Sequence, residues 1–526
     1  MPTWSFPLAL DPAADEPLFL QITRSITGDI RRGRLRPGMR LPGTRTLAQT
    51  LSVHRNTVVA AYDELLAEGW IESSEARGTF VSRALPEVAP RASSVSLSRR
   101  AEVPARAGFD LKPAPERADL AKAPPGALVM SIGVPDVRLL PTAALARAYR
   151  RAVRHQALSV LGYSDPEGHP RLRAALAEML SAARGLATGP DDLVVTQGSQ
   201  MALDLVARAL LRPGDVVAVE AFGYRPAWEA LRYHGARLVP IPVDLSGLDV
   251  AALKVIARRT PLRAVYLTPH HQYPTMATLA AGRRLELLEF ARRTRTAIIE
   301  DDYDHDFHYQ GRPVLPLASL DRAGVVVYVG SLAKIIAPGL RLGYVAAPRA
   351  FRDQIATHRS FLDRQGNLAV ECAVAELLED GEIQRHARRA RRVYARRRDS
   401  FMAALRRTFG ESVSFSSPPG GMALWVRVME PRVDAEEWAA RALELGVLFH
   451  PGRRYAFDGA RHPFVRLAFT ALSEPELAEA VRRLARAFDD CRARGRAPAS
   501  RGTPAPAGSS RSAPPRSPLA TRTACR

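Results

Sequence analysis

The chain has 526 residues, with 75 Lys and Arg against 54 Asp and Glu, a formal net charge of +21 and a sequence pI of about 10.7. That length exceeds one ordinary core and predicts roughly two to four domains, and the charge favours an anionic partner, nucleic acid ahead of a membrane surface. Cys372, Cys491 and Cys525 form no CxxC pair, and neither a secretory leader nor a membrane-length apolar run is present, which argues against a disulfide framework, a cysteine zinc site or a membrane span and predicts a cytoplasmic protein.

From Pro17 onward Leu18, Ile22, Ile26 and Ile30 recur every four positions until Gly33, the pattern of an amphipathic helix with a glycine stop. After LRPGMRLPG the run TRTLAQTL, a tight break at Ser52-Val53 and the stretch HRNTVVAAYDELLAEG have helix-turn-helix spacing. WIESSEARGTFVS then reads as two short strands around a polar turn with Gly78 near its tip, a basic wing, and the unit closes by Arg83. In such a unit the second helix offers its first side chains to the major groove while the first braces against backbone phosphates, which makes Arg45, Arg55, Asn56 and Thr57, with the Gly78 hairpin, the candidate DNA contacts. Leu47, Val58 and Leu65 are expected to face the small core.

Residues 84–125 are rich in Pro, Ala, Arg and Ser with weak periodicity, the composition of a flexible linker. Between residues 126 and 490, β-like runs such as DLVVTQG, DVVAVE, RAVYLTP, TAIIEDDY and VVVYVGS alternate with helical stretches, predicting an α/β domain with a mostly parallel sheet. Residues 491–526 have too little apolar content to fold and read as a disordered basic tail.

Within the α/β region the chemistry gathers around Lys334 of GSLAKIIAPGLRLGY and Asp301 of IIEDDYDHDF. A lysine amine can hold an aldehyde cofactor as a Schiff base, and an aspartate can keep a pyridine nitrogen protonated, so the pair points to pyridoxal phosphate. In TQGSQMALDL a strand passes to a helix through Gly198, Ser199 and Gln200, whose backbone amides suit a phosphate, and Arg341 can add charge there. Tyr303 is placed to meet the ring hydroxyl and Tyr224 of EAFGYRPAW to stack on the ring. Taken singly, a glycine before a helix is usually a turn, an acidic run a solvated loop and a lysine a surface residue; their order and spacing carry the inference. No metal ligands are assigned.

Residues 17–82, through PLFLQI, GRLRPGMRLPGTRTLAQTL, VHRNTVVAAYDELLAEGWI and GTFV, resemble the winged helix-turn-helix domain of GntR-type bacterial regulators. Through LGYSDPEGHPRLRAAL, TQGSQMALDL, HHQYPTM, IIEDDYDHDF, GSLAKIIAPGLRLGY and VRLAF, residues 161–469 resemble fold-type I aminotransferases, and the whole chain looks like the MocR branch of the GntR regulators. The resemblance implies a multidomain chain: a winged helix-turn-helix over residues 1–83, and over 126–490 an α/β pyridoxal-phosphate-dependent transferase (fold-type I) domain with a smaller C-terminal α+β subdomain. It further implies that Lys334 forms the Schiff base with the cofactor, Tyr273 lies near the ring, Ser331 belongs to the phosphate cradle, and Arg466 holds the carboxylate of an amino-acid-like effector. Tyr163 resembles the tyrosine that reaches a partner subunit's cofactor phosphate, implying a head-to-tail homodimer on operator DNA.

The chain departs from the family pattern at four places. Ala333 replaces a common serine before the lysine, which removes a hydroxyl from the cradle; Met276 and Phe222 replace a glycine and a proline, which leaves the shape of the effector pocket open. His54 replaces a small hydroxyl residue, which leaves phosphate contact and N-capping at the recognition helix open. The leading expectation is a regulator that senses pyridoxal phosphate or an amino-acid-like ligand; the second is a working aminotransferase with an appended winged helix, and the third a DNA-binding protein whose large domain only dimerises.

Overall fold

The amphipathic period that starts at Pro17 is realised as a helix in the computed structural model, which describes residues 10–11, 16–74, 78–86, 106–111, 123–311 and 313–494. The chain divides into two compact units, Met1–Ala114 and Pro115–Arg526.

In the first unit α1 (Leu18–Arg31), α2 (Thr44–Leu51) and α3 (Arg55–Ala67) are followed by the antiparallel strands β1 (Ile71–Ser74) and β2 (Gly78–Val81). Ile22, Ile26 and Ile30 of α1 meet Leu47, Val58 and Leu65 in one core closed by Trp70 and Val81. Each such side chain, once fully buried, contributes about 1.5–3 kcal/mol. Between α2 and α3 the chain reverses through Ser52 in the left-handed region at φ 53°. Arg45, Arg55 and Asn56 remain exposed and Thr57 half-buried, while Gly78 opens β2 opposite Ser74.

His54 caps the recognition helix. Its backbone is extended and its imidazole Nδ1 accepts a hydrogen bond from the Asn56 N–H at 3.2 Å, so the ring supplies the acceptor that a hydroxyl usually provides.

The second unit is built on a seven-stranded sheet of β3 (Leu193–Thr196), β4 (Val216–Glu220), β5 (Arg237–Ile241), β6 (Ala264–Leu267), β7 (Ala297–Asp302), β8 (Val326–Ser331) and β9 (Gly343–Ala346). The order is β3-β9-β8-β7-β6-β4-β5, and β9 alone runs against its neighbours. Helices cover both faces of a parallel sheet, so its strands must be apolar throughout rather than alternating. LVVT, VVAVE and VVYVGS are buried at every position, as that requires. A second, antiparallel sheet contains β10 (Val413–Ser414), β11 (Ala423–Val428), β12 (His450–Pro451) and β13 (Phe464–Ala468), in the order β10-β11-β13-β12. The helices Glu382–Phe409, Ala435–Glu444 and Glu474–Arg494 pack on it through Phe409, Trp438 and Phe488.

The last helix runs to Arg494, past the expected domain edge at 490; the rest of the expected tail and most of the expected linker lie outside the described residues. Among the described residues no helix is long and apolar enough to cross a membrane.

Replacing His54 by Ala removes the cap and is predicted to cost about 1 kcal/mol. That cost corresponds to about fivefold faster amide exchange across α3 in hydrogen–deuterium exchange of the full chain, whereas His54→Ser should exchange at nearly the native rate.

Candidate cofactor pocket

Five of the parallel strands end on the same side of the sheet, and the loops leaving them carry the predicted residues. Gly198 follows β3, Tyr224 follows β4, Tyr273 follows β6, Asp301 and Tyr303 close β7, and Ser331 and Lys334 close β8. They line a cavity of about 430 Å³ together with Ser199, Gln200, Arg341 from the turn before β9, and Arg466 from β13. Of the twelve cofactor and effector residues expected from sequence, Tyr163 alone lies elsewhere: it is 84% exposed, with the Arg364 guanidinium 4.6 Å from its ring centroid.

One end of the cavity is a cradle for an anion. Gly198 turns into the helix Ser199–Leu210 at φ 83°, a conformation glycine adopts without strain. Free amides at that helix start face the cavity beside Arg341, whose Nη2 donates to the Gln197 carbonyl at 2.9 Å. Ser331 Oγ accepts from the Ala333 N–H at 3.1 Å, holding the turn that presents Lys334.

At the other end, the acidic run of β7 separates its carboxylates by strand alternation. Glu300 accepts from the Leu317 and Ala318 amides at 2.8 and 2.9 Å, and Asp302 accepts from the Tyr328 hydroxyl at 2.6 Å; both point away from the cavity that Asp301 and Tyr303 line. Asp301 Oδ2 accepts from the Tyr266 hydroxyl at 2.8 Å, while its Oδ1 is buried without a partner, as is the Tyr303 hydroxyl. Burial pushes the Asp301 carboxyl up to about 7 against the lowering effect of Tyr266. Burial, reinforced by Arg466, pulls the Lys334 ammonium down to about 8. Arg466 is 1% exposed, leaves Nε and Nη1 unpaired, and lies with its guanidinium 4.6 Å from the Tyr273 ring centroid.

These unmet groups fit pyridoxal phosphate: an acceptor for a protonated ring nitrogen at Asp301 Oδ1, a donor for the ring hydroxyl at Tyr303, amides and Arg341 for the phosphate, and an amine for the aldehyde at Lys334. When bound, the cofactor supplies a carbonyl for amines and a ring that withdraws electrons. Tyr224 and Tyr273 meet edge to face, with centroids 5.5 Å apart, along the cavity wall.

Several lining residues had no clear sequence signal. Ser131, Ile132 and Gly133 come from the segment before the large domain's first long helix, His450 from a strand of the small sheet, and Arg454 and Tyr455 from the turn after it. A Cβ on Gly133 would lie 2.9 Å from Met422 Cβ and 3.3 Å from Arg466 Nη2, so glycine lets this segment approach both side chains. Glu220, at the end of a wholly buried strand, holds the Thr268 amide and hydroxyl at 3.1 and 2.9 Å, and Thr268 Oγ1 in turn accepts from the Tyr273 amide at 2.9 Å. A glutamate closing an otherwise apolar run was the available clue. Neither Phe222 nor Met276 lines the cavity. Phe222 packs edge-on against Trp425 and His462 at 5.8 and 4.8 Å, and Met276 is buried in the left-handed region at φ 64°, where glycine would be unstrained.

With its pKa near 8, about a tenth of Lys334 is neutral amine at pH 7, against well under a thousandth for an ordinary lysine. Uptake of pyridoxal phosphate by cofactor-free protein, followed by growth of the visible absorption band, should therefore accelerate with pH and level off above about 8; a midpoint near 10 would contradict this placement. Lys334→Ala should abolish the band.

Residues 126–484 match the family described as aminotransferase class I and II, and residues 18–81 match the gntR family of bacterial regulatory proteins. The chain is 34% identical to a probable rhizopine catabolism regulatory protein, MocR, of Rhizobium meliloti over 95% of this chain and 100% of that protein. It is 33% identical to the HTH-type transcriptional regulator TauR of Rhodobacter capsulatus over 93% of this chain and 99% of that one. Among solved structures it is similar to LysN, an α-aminoadipate aminotransferase from Thermus thermophilus complexed with N-(5'-phosphopyridoxyl)-L-leucine, with TM-score 0.66 and 31% identity over 70% of this chain and 94% of that one. A DNA-binding winged helix followed by an aminotransferase-fold domain with a pyridoxal-phosphate pocket, matched along nearly the whole chain to such regulators, places this protein in the MocR subfamily of GntR-type transcriptional regulators.

Proposed function

We propose that the protein reads an amino-acid-like compound through its cofactor pocket and converts occupancy into a change of DNA affinity. The observation that carries this reading is Arg466, a buried guanidinium with two unpaired nitrogens in the cavity that also holds Lys334. A planar fork of N–H donors suits a carboxylate, and the lysine-held carbonyl suits the amine of the same molecule. Lys334, Asp301, Tyr303, Tyr224, Tyr273, Gly198, Ser199, Gln200, Ser331 and Arg341 hold the cofactor in this reading. Arg45, Arg55, Asn56 and Thr57, with the Gly78 hairpin, contact operator DNA. Effector binding alters DNA affinity only if it favours one arrangement of the protein over another, and the coupling is reciprocal.

The functional unit in this reading is a head-to-tail homodimer in which Tyr163 reaches the partner subunit's cofactor. Exposed Leu158, Leu161, Tyr163 and Phe361 support it, because large apolar side chains gathered on one chain's surface are the usual mark of an interface.

A working aminotransferase is the second reading, favoured by the pulled-down Lys334 amine and the fully retained ring contacts. The two separate in one spectral titration of cofactor-loaded protein with a panel of amino acids. A sensor shows a band shift that persists with a particular amino acid; an enzyme loses the band and regains it on addition of a keto acid.

Arg55→Ala should weaken operator binding by about 1–3 kcal/mol, roughly 5- to 150-fold, while leaving the cofactor band intact. Arg466→Ala should keep both the band and DNA binding in the absence of effector but lose the spectral response to amino acids. Anisotropy with labelled duplex and absorption spectroscopy check the pair.

A further inference from the structure

The wall of the large domain next to the cofactor pocket contains a cluster of imidazoles that neither the cofactor nor the effector reading uses. His270 and His271 lie on the loop leaving β6, and His308 on the loop leaving β7. One ring nitrogen of each lies within 4.8 Å of the other two. His270 and His271 are 3% and 1% exposed, and both ring nitrogens of His270 and Nε2 of His271 have no hydrogen-bond partner.

The second ring nitrogen of His271 is already committed. Nδ1 lies 2.7 Å from Asp304 Oδ1, which fixes the N–H on Nδ1 and leaves the lone pair on Nε2. A carboxylate behind a histidine in this way orients a metal-binding imidazole and raises its basicity. His305 stacks on His270 with centroids 4.3 Å apart and pairs with Asp302 at 3.0 Å, which restrains the His270 ring. Gly420 packs directly against Nε2 of His271, where any Cβ would collide with that nitrogen, so this close approach requires glycine.

A buried imidazole nitrogen left unbonded is destabilising, and here ring nitrogens of three histidines lie close together. We propose that His270, His271 and His308 form a binding site for a late first-row divalent cation, with zinc as the reference ion, separate from the cofactor pocket. The all-nitrogen donor set selects this class, since magnesium and calcium require oxygen ligands. Tetrahedral zinc holds imidazole nitrogens about 2.0–2.1 Å away and so about 3.3 Å from each other, a contraction that small ring rotations, chiefly of half-buried His308, can supply. Three protein ligands leave a fourth position open to water. The ion would tie the loops after β6 and β7 together beside Asp304, the neighbour of Tyr303.

The test uses tag-free full-length protein loaded with pyridoxal phosphate, stripped of metal by a chelator and titrated with zinc chloride against a chromophoric competitor. The expected result is about one zinc per chain with Kd at or below about 1 μM, weakened at least tenfold in His270→Ser and His308→Gln and unchanged in the exposed control His155→Gln, with the cofactor band retained in all. Binding of less than about a tenth of an equivalent, or equal affinity in the cluster variants and the native chain, overturns the site. X-ray absorption of the zinc-loaded native protein decides independently of any variant: a shell containing imidazole nitrogens near 2.0 Å and no sulfur supports it, and a sulfur-containing or all-oxygen shell overturns it.

Discussion

The pocket depends on a carboxylate taken out of water with only half of its hydrogen bonding met. Burying a carboxylate costs several kcal/mol unless partners compensate, and Asp301 has Tyr266 on one oxygen and nothing on the other. The same deficit recurs at Tyr303 and Arg466, so the cavity carries a pattern of unmet donors and acceptors: a cofactor with a basic ring nitrogen and a ring hydroxyl would meet those at Asp301 and Tyr303, and Arg466 is left with unmet donors of its own. The rest of the fold holds that deficit in place. Strands buried on both faces supply a rigid floor, and the loops at their carboxyl ends bring residues distant in sequence to one point.

Two sheets share the task. The large sheet provides the anion cradle, the lysine and the groups that fit the ring, whereas the antiparallel sheet contributes Arg466. In the proposed reading, cofactor and carboxylate effector are therefore held by separate parts of one domain. An aminotransferase needs that division as much as a sensor does, which is why the geometry alone serves both chemistries.

Much of this was legible in the chain. Four-residue apolar spacing marked α1, the turn chemistry marked the helix-turn-helix, and uninterrupted valine-rich runs marked the sheet, because these patterns follow from local periodicity. Lys334, Asp301 and Gly198 were legible because each sits at a strand end in a short motif. What stayed hidden depends on tertiary approach: Gly133 closing on Met422 and Arg466, Glu220 positioning Tyr273 through Thr268, and the convergence of His270, His271 and His308 from two loops. The consequences of His54 and Met276 were open from residue type alone, because they depend on local geometry: the imidazole caps its helix, and the buried methionine occupies a left-handed position without lining the pocket.

The central claim is that pocket occupancy and DNA affinity are linked, and linkage is measurable without knowing the regulated genes. The most direct measurement is the affinity of the cofactor-loaded protein for a duplex it has itself selected from random-sequence DNA, with and without the amino acid that shifts its absorption band, in the native chain and in Lys334→Ala. The account predicts a change in the native chain of about 5- to 150-fold that vanishes in the variant. An affinity that the amino acid leaves unmoved in the native chain, or moves equally in both, would contradict it.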